Sequence, residues 1–244
     1  MTILAWQRGG GGPPVVLVHT WASDATADWD RTGVAAALAR AGLSVLAPDL
    51  PGHAESADIL IPPDTEPARW TAHACLADLD RIRIDSFAVV AYADGGPVAG
   101  HLMVTAPERV GRLVLIGCDD IVEVPHAAEI AAALRDPGAT VWHPEAAEVV
   151  ARARADRRHH LPTLAQWIER RQWPAAPRLG ALRLPVLLAV GTRDPHRVRA
   201  PRLGQLFHDA RLVTVPGDQR GALSSAELAK QVAAFLGATA LQRQ

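Results

Sequence analysis

Carboxylates and histidines near apolar runs are the residues of this 244-residue chain best suited to chemistry. Asp194 closes the segment that runs from Val186 through Val190, Gly191, Thr192 and Arg193, and Asp119 and Asp120 follow the run that ends at Gly117. A carboxylate so placed can cap a helix or hold Arg193 or Arg197, position a ligand, or serve as a general acid or base. Among the ten histidines, His19 and His53 are candidate bases. His101 falls on a predicted helix, where packing is the simpler role. His159-His160 follows Arg152, Arg154, Arg157 and Arg158, which reads as a solvated helix face. No spacing among the histidines, the carboxylates and the two cysteines, Cys75 and Cys118, resembles a closed zinc site, so no metal is expected. Gly9–Gly12 is not a phosphate loop, because neither a lysine nor a helix start follows it.

The elements that must position these side chains alternate. Short runs rich in branched residues, at Val15–Val18, Ser44–Ala47, Ser86–Ala91, Arg112–Ile116, Val186–Val190 and Leu212–Val215, predict buried parallel strands. Helical spacing appears between them at Thr32–Ala41, Glu66–Ile82 and Gly96–Ala106, and after the last at Ser225–Leu236. This predicts an α/β fold, a doubly wound, mostly parallel sheet with helices on both faces. Ile3–Gln7, joined to Val15 by Gly9–Pro14, reads as one arm of an antiparallel edge hairpin. Between about 121 and 178 the strands stop and three helical patterns take over, at Ala127–Leu134, Pro144–Arg157 and Thr163–Gln172. We expect this insertion to form a lid over the sheet's carboxyl edge, within a single domain spanning 1–244. Its tryptophans, Trp142, Trp167 and Trp173, either line a pocket or pack the cap.

Five segments, in order and at matching spacing, give nearly the whole chain a resemblance to the α/β-hydrolase fold family. Val15–Val18 with His19-Thr20-Trp21 is similar to the strand that ends in His-Gly beside the oxyanion hole. Asp49-Leu50-Pro51-Gly52-His53-Ala54-Glu55-Ser56 resembles the family's Asp-x-x-Gly-His-Gly-x-Ser turn. Val89–Gly96 falls where the nucleophile elbow belongs, after a strand and opening a helix. Val186–Asp194 matches the strand and turn that deliver the triad acid, and Leu212–Arg220 the strand and loop that carry the triad histidine. The resemblance implies an oxyanion hole from the backbone N–H groups of Trp21 and Asp94, with Thr20 beside them as a further ligand-binding position. It also implies that His19 and His53 hold loops together rather than act as bases.

The catalytic positions depart from the family. The elbow needs small residues on either side of the nucleophile, and aligning those flanks on Ala91 and Gly95 puts Ala93 at the nucleophile position. Alanine has no lone pair to attack with. The histidine position falls on Gln219 or Arg220, and neither takes up a proton near neutral pH. Asp194 alone keeps its place, as the retained acid. A one-residue shift would make Asp94 the nucleophile, but it forces Tyr92 into the small position and leaves no histidine to activate water. Thr20, Ala54 and Ala91 also replace family glycines, a pattern that favours natural divergence over one engineered change.

Composition narrows the partners. A net charge of −1 argues against nucleic acid and anionic membranes, and two cysteines are too few for a disulfide framework. The 25 basic residues include one lysine, Lys230, a bias more telling of genome composition than of function. These features predict a cytoplasmic protein that acts on a small organic ligand, with no cofactor. The expected function is cofactor-independent lyase, isomerase or cyclase chemistry in the pocket. The alternatives are a non-catalytic binding or regulatory pseudo-hydrolase, or an esterase or lactonase inactivated by a serine-to-alanine change.

Overall fold

All six branched runs form strands, and their alternate side chains sort to opposite faces. The computed structural model describes residues 2–9, 11–120 and 124–237. Its strands are β1 (Leu4–Arg8), β2 (Pro14–Val18), β3 (Ser44–Pro48), β4 (Phe87–Tyr92), β5 (Val110–Ile116), β6 (Pro185–Gly191) and β7 (Asp209–Val215). Val16, Val18, Val89, Ala91, Leu113, Leu115, Val186 and Leu188 enter the core on one face. Val15, Leu17, Val90, Tyr92, Val114, Ile116, Leu187 and Ala189 enter it on the other. With both faces covered, the strands read as continuous apolar runs, and each large branched side chain buried contributes about 1.5–3 kcal/mol.

The sheet order is β1-β3-β2-β4-β5-β6-β7, with β1 antiparallel and every other pairing parallel. The expected hairpin is not formed. β1 is the antiparallel edge strand, but it pairs with β3, Leu4 opposite Pro48 and Arg8 opposite Val45. β2 has parallel neighbours on both sides, β3 and β4, which leaves it no free ladder for β1.

The helices are α1 (Val34–Arg40), α2 (Pro67–Arg81), α3 (Gly96–Thr105), α4 (Ala127–Arg135), α5 (Pro144–Ala155), α6 (Leu161–Arg170), α7 (Ala176–Gly180), α8 (Ala200–Gly204), α9 (Gln219–Leu223) and α10 (Ala226–Gly237). The longest, α2, starts where Glu66 accepts the backbone N–H groups of Ala68 and Arg69 and Pro67 presets the first turn. The seven longer helices lie within two or three residues of the expected bounds. The short α7, α8 and α9 carry too few residues for a periodic signal.

Helices α4, α5 and α6 all lie between β5 and β6, as the break in alternation predicts; residues 121–123, at its start, are outside the described residues. Helix α6 is tied to the loops after β2 and β3. The Trp21 indole donates to Leu164 O at 3.1 Å, the Trp167 indole to Pro51 O at 3.1 Å, and the His160 N–H to Gly52 O at 2.9 Å. Trp167 therefore packs the segment, whereas Trp142 is 80% exposed. His159 is buried, not on a solvated face, because its ring packs edge-on against His53 at 5.2 Å. No helix among the described residues is long and apolar enough to cross a membrane.

Candidate active site

The turn after β4 is strained where the elbow was expected. Ala93 has φ +45°, a left-handed conformation that alanine rarely adopts, and a short turn over Ala93–Gly95 leads directly into α3. Gly95 must be small, since a Cβ there would stand 2.6 Å from Val18 O and 2.7 Å from His19 O. At the position expected for the nucleophile, this strained turn presents only a methyl group. A cavity of about 660 Å³ opens over it, lined on the sheet side by Thr20, Trp21, Ala93 and Gln219 and on the helical side by Arg152, Arg171 and Trp173.

The positions expected for the acid and the histidine both border Gly117, at the carboxyl end of β5. A Cβ on Gly117 would lie 3.2 Å from both Asp194 Oδ2 and Gln219 Cγ. Asp194 Oδ1 accepts the His196 N–H at 2.8 Å, capping the turn over Pro195–Val198. Its Oδ2 is buried, and no described residue hydrogen-bonds it. Gln219 turns its amide to Gly117 O at 3.2 Å instead. Arg220 also borders the cavity, but its guanidinium is spent on the fully buried Asp28 and on Ala27 O. Of the two positions expected for the histidine, Gln219 is therefore the one that lies beside Asp194, while Arg220 is committed to Asp28.

The expected Asp94 donor already has a partner. The Asp94 N–H points at the Thr20 hydroxyl at 3.3 Å, and that hydroxyl donates back to Asp94 Oδ2 at 3.1 Å. A ligand oxygen must displace the Thr20 hydroxyl to use the Asp94 donor. Asp94 Oδ1 is ion-paired with Arg171, which also excludes it as a free nucleophile. Burial lowers the Arg171 pKa to about 10, so it stays cationic at neutral pH.

The histidines divide cleanly. His19 and His53 are fully buried with both ring nitrogens engaged. His19 takes the Leu50 N–H at 2.9 Å and faces Thr20 O at 2.7 Å; His53 takes the Ala22 N–H at 3.1 Å and faces Pro51 O at 3.1 Å. They fasten the loops after β2 and β3, as the resemblance implied. Burial holds His53 well below the ordinary histidine range, so it remains neutral. His101 is buried, donates to Gln172 O at 3.2 Å, and is pulled down to about 4.

An acid prediction follows from that sign. Unfolded His101 takes a proton below its ordinary pKa of 6.5, whereas folded His101 does not until about 4. Its stabilisation is complete above pH 6.5 and is lost, at roughly 1.4 kcal/mol per pH unit, as the pH falls toward 4. The thermal midpoint should therefore drop between pH 6.5 and 4.5. His101→Leu should flatten that slope, measured as Tm against pH.

Sequence reasoning passed over His196 and Arg171. His196 lies on the turn after β6, and its Nδ1 contacts Asp119 Oδ2 at 2.5 Å across to the end of β5. Arg171 follows α6. The available signal was placement, since residues just past the carboxyl ends of adjacent parallel strands meet in space. Outside the cavity, His126, Glu129 and His143 bring their ligand atoms within 4.8 Å of one another, a group that no sequence spacing suggested. There the Glu129 carboxylate already accepts from the backbone of Trp142 and from the His143 ring.

A sequence profile of the alpha/beta hydrolase fold matches residues 13–140. The chain belongs to the α/β-hydrolase fold family. Over 116 residues, 47% of its length, this α/β-hydrolase-fold chain is 38% identical to a dihydrolipoyllysine-residue acetyltransferase component of an acetoin cleaving system from Pseudomonas putida. It is 32% identical over the same length to a pimeloyl-[acyl-carrier protein] methyl ester esterase from Vibrio campbellii. These matches span only 30% and 41% of the two relatives. Among solved structures, the enol-lactonase from Burkholderia xenovorans superimposes with a TM-score of 0.72 at 21% identity, covering 95% of each chain. At that identity the likeness establishes the fold, and α/β hydrolases sharing a fold differ widely in reaction.

Proposed function

We propose that this chain binds a small carbonyl compound bearing a carboxylate, of the ester or lactone class, and handles it without forming an acyl-enzyme. One observation carries the reading: a strained elbow that presents only the Ala93 methyl group, beneath a cavity to which Arg152 and Arg171 contribute cationic walls. The helical segment over the cavity serves as its lid. Apolar walls with a few charged groups suit a ligand that is mostly hydrocarbon with one anionic end.

The relatives named as an esterase and an enol-lactonase favour a second reading, a hydrolase whose elbow serine has been lost. The buried, unbonded Asp194 Oδ2 supports it, since a carboxylate at that place would ordinarily hold a histidine. One substitution can overturn the first reading. Under the first, Ala93→Ser alone yields no steady turnover of 4-nitrophenyl acetate, because Gln219 cannot take the serine's proton. Robust turnover by that single variant would establish the second reading. The unsubstituted chain should resist labelling by fluorophosphonates, checked by intact mass; stoichiometric phosphonylation would mean another residue is the nucleophile and would overturn the first.

A further inference from the structure

We propose that His196, oriented by Asp119, is the proton-transfer residue of this cavity and removes a hydrogen from the carbon beside a bound carbonyl. The inference rests on the pocket reading above and adds a reaction to it. Among the described residues lining the cavity, His196 is the single histidine. It is held at two points by two carboxylates. Its backbone N–H donates to Asp194 Oδ1 at 2.8 Å, and its ring Nδ1 faces Asp119 Oδ2 at 2.5 Å. A carboxylate accepts only, so Nδ1 carries the proton and, in the neutral ring, Nε2 carries the lone pair. No described residue hydrogen-bonds Nε2, and a third of the side chain remains exposed. Three buried histidines lack this freedom: His19 and His53 have both ring nitrogens engaged, and the His101 ring is held by Gln172 O and Glu66.

The chemistry balances without a co-reactant. Nε2 takes the hydrogen as a proton, and the C–H electron pair moves into the carbonyl to give an enolate oxygen. Return of the proton to the same carbon gives exchange, and return to a different carbon of the enolate system gives an isomer. Arg152 borders the same cavity and can hold the carboxylate or the enolate. The charged groups that act on the ring are Asp119 and Asp194, which favour its protonated form, and Arg171, which opposes it. The Asp119 contact outweighs burial, and the histidine is raised from 6.5. The neutral, base-competent form therefore gains population as the pH rises above 6.5.

The probe is 3-benzoylpropanoate in D2O, a ketone with a carboxylate, followed by proton NMR with its C2 methylene as internal reference. The chain should exchange the C3 hydrogens above the buffer rate, with a rate that climbs with pH and levels above pH 6.5. His196→Gln should lower the enzyme-dependent rate about 100-fold, within the range of positioned bases, while saturation-transfer signals show that the probe still binds. Asp119→Asn should retain binding, lower the exchange rate and move the midpoint of the pH profile downward. A probe that binds without exchange, or a His196→Gln variant that exchanges as fast as the parent, overturns the base assignment and leaves the pocket reading standing. A probe that does not bind at all overturns both. Asp119→Asn keeps the test decisive if His196→Gln is unfolded.

Discussion

Ala93→Ser combined with Gln219→His should hydrolyse 4-nitrophenyl acetate at least about 1,000-fold faster than either single variant. Triad residues act as a unit, and what remains when one is missing comes from binding and the oxyanion donors. The double variant places a serine and a histidine at the two expected positions at once. The strained elbow at Ala93 already presents its side chain to the cavity, so a serine hydroxyl needs no backbone change. A histidine at 219 would begin beside Asp194, since Gln219 Cγ and Asp194 Oδ2 crowd the same point over Gly117. Its Nδ1–H would supply the bond that Asp194 Oδ2 lacks. Burst kinetics and fluorophosphonate labelling of the double variant would check the result. A double variant no faster than the singles would mean that the three positions do not converge.

Asp28→Ala should destabilise the fold by about 3–5 kcal/mol, the range for breaking a buried charged network. Asp28 is fully buried and collects three donors: the Thr20 N–H at 3.0 Å, the Ser23 hydroxyl at 2.7 Å, and Arg220. Alanine would leave the Thr20 amide without its acceptor and free the arginine. Because Thr20 touches Asp94, the loss should also loosen the elbow's anion donors. Urea unfolding measures the first effect, and weaker binding of 3-benzoylpropanoate the second. A change below about 1 kcal/mol would show that water replaces the carboxylate.

The sheet and the long helices were legible because their signals are local. Buried parallel strands such as Val186–Val190 need apolar residues on both faces, and α2 announces itself by its helical spacing. The elbow was legible because small residues at Ala91 and Gly95 are a steric necessity. Pairing was not, since the choice of β3 over β2 by β1 depends on which ladder is already filled. The same holds at the site. His196 and Asp119 lie 77 positions apart, and nothing near either one reports the other. Gln219 and Arg220 could be ranked only once Asp28 was seen to hold the arginine.

The three bonds from α6 to the loops after β2 and β3 restrict how the cavity can open. Swinging α6 outward would break the indole bonds of Trp21 and Trp167 and the His160 amide bond in one event. Cooperative rupture of that kind is rare compared with fraying at a less anchored edge. Opening of the cavity is therefore expected to leave α6 in place, the fixed jamb of the door, and to involve the opposite wall, where Val149 of α5 lines the cavity. In hydrogen exchange, amides of α6 should then keep the slow, globally limited rates of the sheet while those of α5 exchange faster.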